Sequence, residues 1–209
     1  MATCYIIGAG EGFVPFAVRE GDLVIAADGG IRHLDRHGIR PHLVIGDLDS
    51  CERVPEGVEI LRHPVRKDDT DMGLSLAYAI AQGYRRVVLF GALGGREDHT
   101  FANYHLLFSA KEQGVDVRIR STDTEIRAIV RETVSVEGAV GDTMSLFAWG
   151  SPAHGVTLEG VSYPLTDGTL STRHPLGVSN ALTEPIARIG VRAGTLLCFH
   201  VRATDTQKT

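Results

Sequence analysis

The chain has 209 residues, of which 43% are hydrophobic and 22% are charged, and its formal net charge is -5. This length and composition describe a folded chain of one domain or two small ones, and they exclude a disordered chain and a coiled coil. The slightly negative charge and the lack of any Lys/Arg run give a nucleic-acid partner no support.

The sequence carries no pattern typical of a membrane span or a targeting signal. It has no run of about 18 apolar residues, and its first residues, MATCYIIGAGEG, lack a basic start and a cleavage site. Cys4, Cys51 and Cys198 have no paired spacing, so we expect reduced thiols rather than disulfides or a zinc site. We therefore expect a cytoplasmic protein that does not bind membranes.

The first half of the sequence predicts a parallel sheet covered by helices. Short β-rich runs that end in Gly, Asp or Pro alternate with helical spacing, which is clearest at residues 72–81 and 101–111. The predicted strands cover residues 4–7, 23–26, 43–45, 58–61 and 87–90. In such α/β folds, ligands bind at the carboxyl ends of the strands.

After about residue 115 the pattern changes to short alternating runs that are separated by turn residues. These runs predict strands at residues 117–120, 126–130, 143–147, 155–158, 187–189 and 196–201, with no amphipathic helix among the later ones. We therefore predict an N-terminal α/β domain with a parallel sheet over residues 1–121. An all-β sandwich domain is predicted over residues 122–209.

Seven aspartates stand near the predicted strand ends of the first domain. They occur in the segments ADGG, GDLDS, KDDTD and GGREDH, as Asp28, Asp47, Asp49, Asp68, Asp69, Asp71 and Asp98. Because the carboxyl ends of parallel strands share one edge of a sheet, these carboxylates would repel one another unless a cation lies among them. Hard oxygen ligands in this number favour Mg²⁺, which binds one or two carboxylates together with waters and phosphates.

Asp47 and Asp49 lie two positions apart after an apolar strand. If the backbone stays extended, both side chains point to one face and can share one ion or bridge two. The alternative is that one of them caps a helix beginning near Cys51 and the other forms a turn. The other carboxylates of the same edge favour the metal-binding interpretation.

The segment KDDTD directly precedes an apolar helix. One of Asp68, Asp69 and Thr70 must be its N-cap, and an acid in the first turn suits the helix dipole. Capping leaves one acid unexplained, so we assign Asp71 to metal binding and Asp68 to nucleotide or metal binding.

The segment GALGGREDH lies between a strand and a helix, an arrangement that presents backbone N–H groups to phosphate. Arg96 would add a bidentate phosphate contact. The alternative is a turn at Gly94 and Gly95, with Arg96 paired to Asp98 on the surface. The earlier GAGEG also follows a strand, but Phe13 stands where the dinucleotide-binding fingerprint needs glycine.

Taken in order, ADGG, GDLDS, KDDTD, GGREDH and the late Ser-Asn pair resemble the thiamine pyrophosphokinase family. The resemblance implies transfer of pyrophosphate from ATP to thiamine with Mg²⁺, in an α/β domain followed by a β-sandwich. It also implies a homodimer with active sites at the subunit interface. The implied metal ligands are Asp47, Asp49 and Asp71, which together with Arg96 form the catalytic set. The implied ATP-binding residues are Asp28, Gly29, Asp68, Thr70, Gly95, Arg96 and Asp98.

The resemblance assigns thiamine binding to Ser179 and Asn180, and it assigns an aromatic stacking role to Tyr163. Some family members have Trp at this last position, and Tyr keeps the aromatic face, so we expect stacking to be retained. Leu93 departs from the family pattern, because many relatives carry a small polar residue there.

Two other functions are compatible with the same motifs. One is a pyrophosphokinase of the same architecture that acts on another heterocyclic alcohol, such as a pterin. The other is a protein that binds a nucleotide or thiamine without turnover. The three predicted metal ligands argue against pure binding, which needs no metal beside the phosphates. Tyr163 with Ser179 and Asn180 favours thiamine over a pterin.

Overall fold

The computed structural model describes residues 1–47, 54–62 and 69–203. Two predicted site residues, Asp49 and Asp68, lie outside these ranges. The chain divides into two compact units, Met1–Thr122 and Asp123–Thr209. None of the helices in the described ranges is long and apolar enough to span a membrane.

The described residues of the first unit contain six parallel strands. They are β1 (Cys4–Ile7), β2 (Leu23–Ala27), β3 (Leu43–Gly46), β4 (Glu59–Arg62), β5 (Arg86–Phe90) and β6 (Asp116–Arg120). Neighbours run parallel in the order β6-β5-β1-β2-β3-β4. The direction of winding reverses between β1 and β5, and such a switch point is where open α/β sheets bind ligands.

Helices α1 (Ile31–Arg36), α2 (Asp71–Ala81) and α3 (Glu97–Glu112) connect these strands. Strands β2, β3 and β5 are buried at nearly every position, which is typical of parallel strands covered on both faces. The sequence pattern did not reveal α1. This helix has only six residues, and its buried apolar positions are Ile31 and Leu34. It is too short for a helical period to show in the sequence.

The second unit is all-β within the described residues. Its strands are β7 (Thr124–Val130), β8 (Thr133–Glu137), β9 (Thr143–Ala148), β10 (Ala153–Glu159), β11 (Leu165–Leu170), β12 (Asn180–Ala181), β13 (Ile186–Gly190) and β14 (Thr195–Val201). One antiparallel sheet has the order β12-β9-β14-β7, and the other has the order β11-β10-β13-β8.

Both sheets of the second unit contribute to one apolar core. Leu146 and Leu196 from the first sheet belong to the same buried cluster as Val156 and Ile189 from the second. Buried and partly exposed positions alternate along β10 and β13, as expected for sheets with one face on a core. The predicted fold class, an α/β unit followed by a β-sandwich, is confirmed.

The sequence pattern did not reveal β8, β11 or β12. Strand β11 contains Asp167 and Gly168, which are residues typical of turns. A Cβ atom on Gly168 would lie 2.6 Å from the side chain of Leu165, which would have to move to accommodate it. Strand β12 has only two residues, which is too short for any alternation to show.

A buried hydrogen-bond cluster holds the C-terminal strand of the second unit. Asp142 accepts hydrogen bonds from the backbone N–H groups of Ala139 and Ala203, each at 2.9 Å, and from His200 Nε2 at 2.8 Å. Burial raises the pKa of Asp142, but the hydrogen bonds from Ala203, Ala139 and His200 outweigh burial. The pKa of this carboxyl group therefore lies below its usual value.

The two cysteines within the described ranges are buried free thiols. They are Cys4 on β1 and Cys198 on β14. Burial raises the pKa of Cys4 and raises that of Cys198 to about 12. Both thiols are therefore protonated at neutral pH and poorly reactive, as expected for structural cysteines. The third, Cys51, lies outside the described residues.

Candidate active site

A cavity of about 390 Å³ opens at the carboxyl edge of the parallel sheet, at the switch point between β1 and β5. Its volume lies in the range typical of small-molecule sites. Its walls come from the segments after β1, β2 and β5, from the first turn of α2 and from the first two turns of α3. Of the predicted site residues, the cavity brings together Asp28, Thr70, Asp71, Gly95 and Arg96.

The floor of the cavity is formed by Gly8, Gly10 and Gly91, which we call the glycine seam. The N–H group of Gly10 donates to the carbonyl of Gly91 at 2.8 Å. A Cβ atom on Gly10 would lie 2.3 Å from the carbonyl oxygen of Leu93, and one on Gly91 (φ 56°) would lie 2.2 Å from that of Gly8. His33 donates from Nε2 to the carbonyl of Gly10 at 2.7 Å. Only glycine permits this close approach of the two backbones beneath the cavity.

Asp28 follows β2 and begins a single 3-10 turn, with a left-handed φ of 44°. Gly46, at the end of β3, leaves room for it, because a Cβ atom there would lie 3.0 Å from the Cβ of Asp28. Asp28 lines the cavity. Gly29 is buried, and a Cβ atom on it would lie 3.2 Å from that of Ala9. Gly29 therefore packs closely beside the cavity.

Thr70 is the N-cap of α2, because its Oγ1 accepts a hydrogen bond from the N–H of Gly73 at 3.0 Å. Asp69 supports this cap, since its Oδ1 accepts from the N–H of Thr70 at 2.7 Å. Asp71 is the first residue of the helix, where the helix dipole stabilises a negative charge. Capping thus occupies Thr70 and Asp69 and leaves Asp71 at the cavity wall.

Helix α3 begins directly after Gly94 and Gly95, with Arg96 at its N-cap position. Arg96 donates two hydrogen bonds to Asp98, from Nε to Oδ1 at 3.1 Å and from Nη2 to Oδ2 at 2.6 Å. These hydrogen bonds lower the pKa of Asp98 below its usual value. Both side chains are exposed, so the pair contributes little to stability. Arg96 therefore lines the cavity while paired with Asp98.

Asp47 directly follows β3 and so lies at the same edge of the sheet as Asp28. Within residues 1–47, 54–62 and 69–203, no three Asp, Glu, His or Cys side chains are grouped closely enough to hold a metal ion. A metal at this edge therefore needs a further oxygen ligand, either from outside these ranges or from a substrate.

Two polar residues of the cavity, Thr100 and Asn103, were not predicted from the sequence. They are 8% and 6% exposed and line the cavity from α3. Asn103 donates from Nδ2 to the carbonyl of Ala92 at 2.8 Å, which ties the helix to the segment after β5. They follow Arg96 by four and seven positions, so the helical period places all three on one face. Counting that period onward from Arg96 would have identified them.

The residues predicted to bind thiamine lie in the second unit. Asn180 is hydrogen-bonded to Tyr163, which is 76% exposed. Ser179 adopts a left-handed φ of 58°, and its N–H donates to Oγ of Ser145 at 3.0 Å. The structure thus groups Tyr163 with Asn180, and it adds Ser145 on β9, which nothing in the sequence pattern marked.

Comparison with known proteins gives the same family for both units. The family model described as "Thiamin pyrophosphokinase, catalytic domain" matches residues 17–119, and "Thiamin pyrophosphokinase, vitamin B1 binding domain" matches residues 131–196. Thiamine pyrophosphokinase from Bacillus subtilis (strain 168) is 27% identical over 193 residues, which cover 89% of each chain. The crystal structure of the Bacillus subtilis enzyme matches with a TM-score of 0.88 at 23% identity, over 97% of this chain and 100% of that one. That of thiamin pyrophosphokinase from Geobacillus thermodenitrificans matches with a TM-score of 0.84 at 26% identity, over 98% and 99% of the two chains.

Proposed function

Because the chain belongs to the thiamine pyrophosphokinase family of transferases, we propose that it transfers the pyrophosphoryl group of ATP to the hydroxyl group of thiamine. The products are thiamine diphosphate and AMP. The observation that carries this proposal is the cavity at the switch point. There the carboxylates of Asp28 and Asp71 share one space with the glycine-rich N-terminus of α3, which is a phosphate-binding arrangement.

We propose Mg²⁺ as the cofactor, with Asp47, Asp49 and Asp71 as its ligands. All three donors are carboxylates, the hard oxygen ligands that Mg²⁺ prefers, and phosphate oxygens and waters complete its coordination. Asp71 lines the cavity, and Asp47 follows a strand of the same sheet edge. When bound, the ion neutralises part of the polyphosphate charge.

ATP binds in the cavity with its phosphates at the start of α3. Backbone N–H groups of the first helical turn, with that of Gly95, supply donors to phosphate oxygens. Arg96 adds a bidentate contact when a phosphate replaces Asp98 as its partner, and the exposure of this ion pair supports such an exchange. Asp28, Gly29, Asp68, Thr70 and Asp98 complete the proposed ATP site.

The reaction joins the hydroxyl oxygen of thiamine to the β-phosphorus of ATP. The bond from this phosphorus to the oxygen of the α-phosphate breaks, AMP leaves with that oxygen, and the hydroxyl proton of thiamine is released. Phosphoryl transfer of this kind needs positioning and charge neutralisation more than covalent help from the protein. Arg96 stabilises the negative charge on the transferred group. The acidic sheet edge suits thiamine, which is a cation.

Thiamine stacks on Tyr163, beside Ser179 and Asn180, and we propose that two copies of the chain share each active site. Exposed apolar side chains in the second unit support a partner copy: Tyr163, Leu176 and Val178 are all exposed. In this arrangement one subunit supplies the phosphate-binding residues and the other supplies the thiamine-binding residues. Mixing Tyr163→Ala protein with Asp71→Asn protein should then restore activity, because hybrid dimers keep one intact site. Absent complementation, despite proven subunit exchange, would contradict the shared site.

The decisive experiment measures AMP release from ATP and Mg²⁺ with thiamine and, separately, with a pterin alcohol. We expect AMP with thiamine and none with the pterin, and thiamine diphosphate should form in equal amount. AMP release with the pterin alone would identify a different pyrophosphokinase. Binding of ATP and thiamine without AMP release would identify a protein that binds its ligands without turnover.

A further inference from the structure

Thr100 lies on α3, one turn after Arg96, and lines the cavity. Its side chain is 8% exposed, and its hydroxyl oxygen has no hydrogen-bond partner among the described residues. A buried hydroxyl group without a partner is unfavourable in the ligand-free protein. A ligand that offers an acceptor in the cavity would remove this cost.

Two other buried polar side chains of α2 and α3, Ser75 and Asn103, are satisfied. Ser75 on α2 donates to the carbonyl of Asp71, four residues earlier, at 2.7 Å. Asn103 donates to Ala92, on the segment after β5. Thr100 has a comparable carbonyl at Arg96, which accepts the backbone N–H of Thr100 at 3.1 Å. The hydroxyl group of Ser75 donates to a carbonyl one turn earlier in its helix, whereas the hydroxyl group of Thr100 does not. Hydrogen bonding within the helix therefore does not account for the hydroxyl group of Thr100.

The position of Thr100 favours a phosphate oxygen as the acceptor. Helical side chains tilt toward the N-terminus of their helix, so Thr100 leans toward the turn that begins at Arg96, about 6 Å away along the axis. This end of a helix attracts anions. In ATP, the phosphates are the groups that combine negative charge with exposed acceptor oxygens.

We propose that Thr100 is a nucleotide-binding residue whose hydroxyl group donates a hydrogen bond to a phosphate oxygen of ATP. This inference rests on the proposed function, which places the phosphates of ATP in the cavity. Threonine in a helix occupies either of two χ1 rotamers, so rotation about χ1 exchanges the positions of the hydroxyl and methyl groups. The hydrogen bond from Thr100 to the phosphate oxygen then forms when ATP binds and is absent in the ligand-free protein.

The test compares Thr100→Val, which keeps the branched shape without the hydroxyl, with Thr100→Ser, which keeps the hydroxyl. Calorimetric titration with ATP and Mg²⁺ should give a Kd about tenfold or more higher for Thr100→Val, because a hydrogen bond to a charged group is lost. Thr100→Ser should stay close to the wild type. The melting temperature of ligand-free Thr100→Val should equal or exceed that of the wild type, since a purely structural hydroxyl would lower it on removal. Adenosine should bind both variants equally.

Three results would overturn the assignment of Thr100. They are an unchanged Kd for ATP in Thr100→Val, a lower melting temperature of that variant, and an equal loss of affinity for adenosine. Each leaves the proposed function intact if the wild type still forms thiamine diphosphate. If the wild-type protein forms no thiamine diphosphate, the proposed function is overturned. The assignment of Thr100 is tested separately, by ligand binding and by the melting temperature.

Discussion

The side-chain amide of Asn180 is hydrogen-bonded to both backbone groups of Tyr163. Oδ1 accepts from the N–H of Tyr163 at 3.0 Å, and Nδ2 donates to its carbonyl at 2.8 Å. Oδ1 also accepts from the N–H of Ala181 at 3.0 Å. Asn180 is 7% exposed, whereas Tyr163 is 76% exposed. Asn180 therefore orients Tyr163, and we expect its effect on thiamine to pass through the ring of Tyr163.

Replacing Asn180 with Ala should affect both stability and thiamine binding. The free energy of unfolding should fall by about 1–3 kcal/mol, because backbone groups of Tyr163 lose their partner. The KM for thiamine should rise, because the ring is no longer held. Urea denaturation and steady-state kinetics measure the two effects. Asn180→Asp keeps the acceptor but sets a carboxylate oxygen against the carbonyl of Tyr163, so it should also destabilise the protein. Wild-type behaviour of Asn180→Ala would contradict the positioning role.

Replacing Tyr163 with Ala should leave folding intact, since the side chain is largely exposed. An aromatic stacking contact contributes roughly 0.5–1.5 kcal/mol beyond its buried area, so the KM for thiamine should rise about tenfold or more. The KM for ATP should barely change, because Tyr163 lies in the unit without the proposed phosphate ligands. Tyr163→Phe is the matched control and should retain thiamine affinity. An unchanged thiamine KM in Tyr163→Ala would rule out stacking.

Replacing Asp71 with Asn should lower kcat by at least about 100-fold, because a proposed charged metal ligand is lost and charge neutralisation in the transition state weakens. The fold should remain, as shown by an unchanged circular dichroism spectrum. Asp69→Asn is the comparison: Asp69 supports the N-cap of α2, so its loss should cost about 1 kcal/mol of stability or less and little activity. Near-normal turnover of Asp71→Asn in Mg²⁺ would contradict the metal assignment.

The Asp142 cluster should contribute to stability in a pH-dependent way. Because the folded-state pKa of Asp142 lies below 3.8, its stabilisation is complete above that value and is lost as the pH falls through the folded-state pKa. Asp142→Asn should lower the free energy of unfolding near neutral pH by about 1–3 kcal/mol. Urea unfolding at about pH 7 and about pH 3 should show this difference shrinking in acid. A difference that stays constant with pH would show that ionisation of Asp142 does not matter.

Local patterns predicted the strands of the first unit, because a buried parallel strand leaves a continuous apolar run that ends in turn residues. They also marked Asp28, which follows such a run, and Asp71 and Arg96, which stand at the starts of helices. Thr100 was missed: helical counting from Arg96 indicates which face of α3 it occupies, but its burial beside the cavity depends on contacts with distant segments. The hydrogen bonds between Asn180 and Tyr163 join residues 17 positions apart. A pairing at this separation leaves no periodic pattern in the sequence.

The glycine seam also bears on the order of folding. Gly10 and Gly91 meet across about 80 residues of chain, so their loop is slow to close and costly in conformational entropy. Strand β1 can pair with β2 from neighbouring sequence, whereas the floor of the cavity forms only when β5 docks beside β1. A ligand that binds only the completed cavity draws the chain toward that state by mass action. If ATP binds this cavity as proposed, it should therefore favour folding of the chain as well as serve as a substrate.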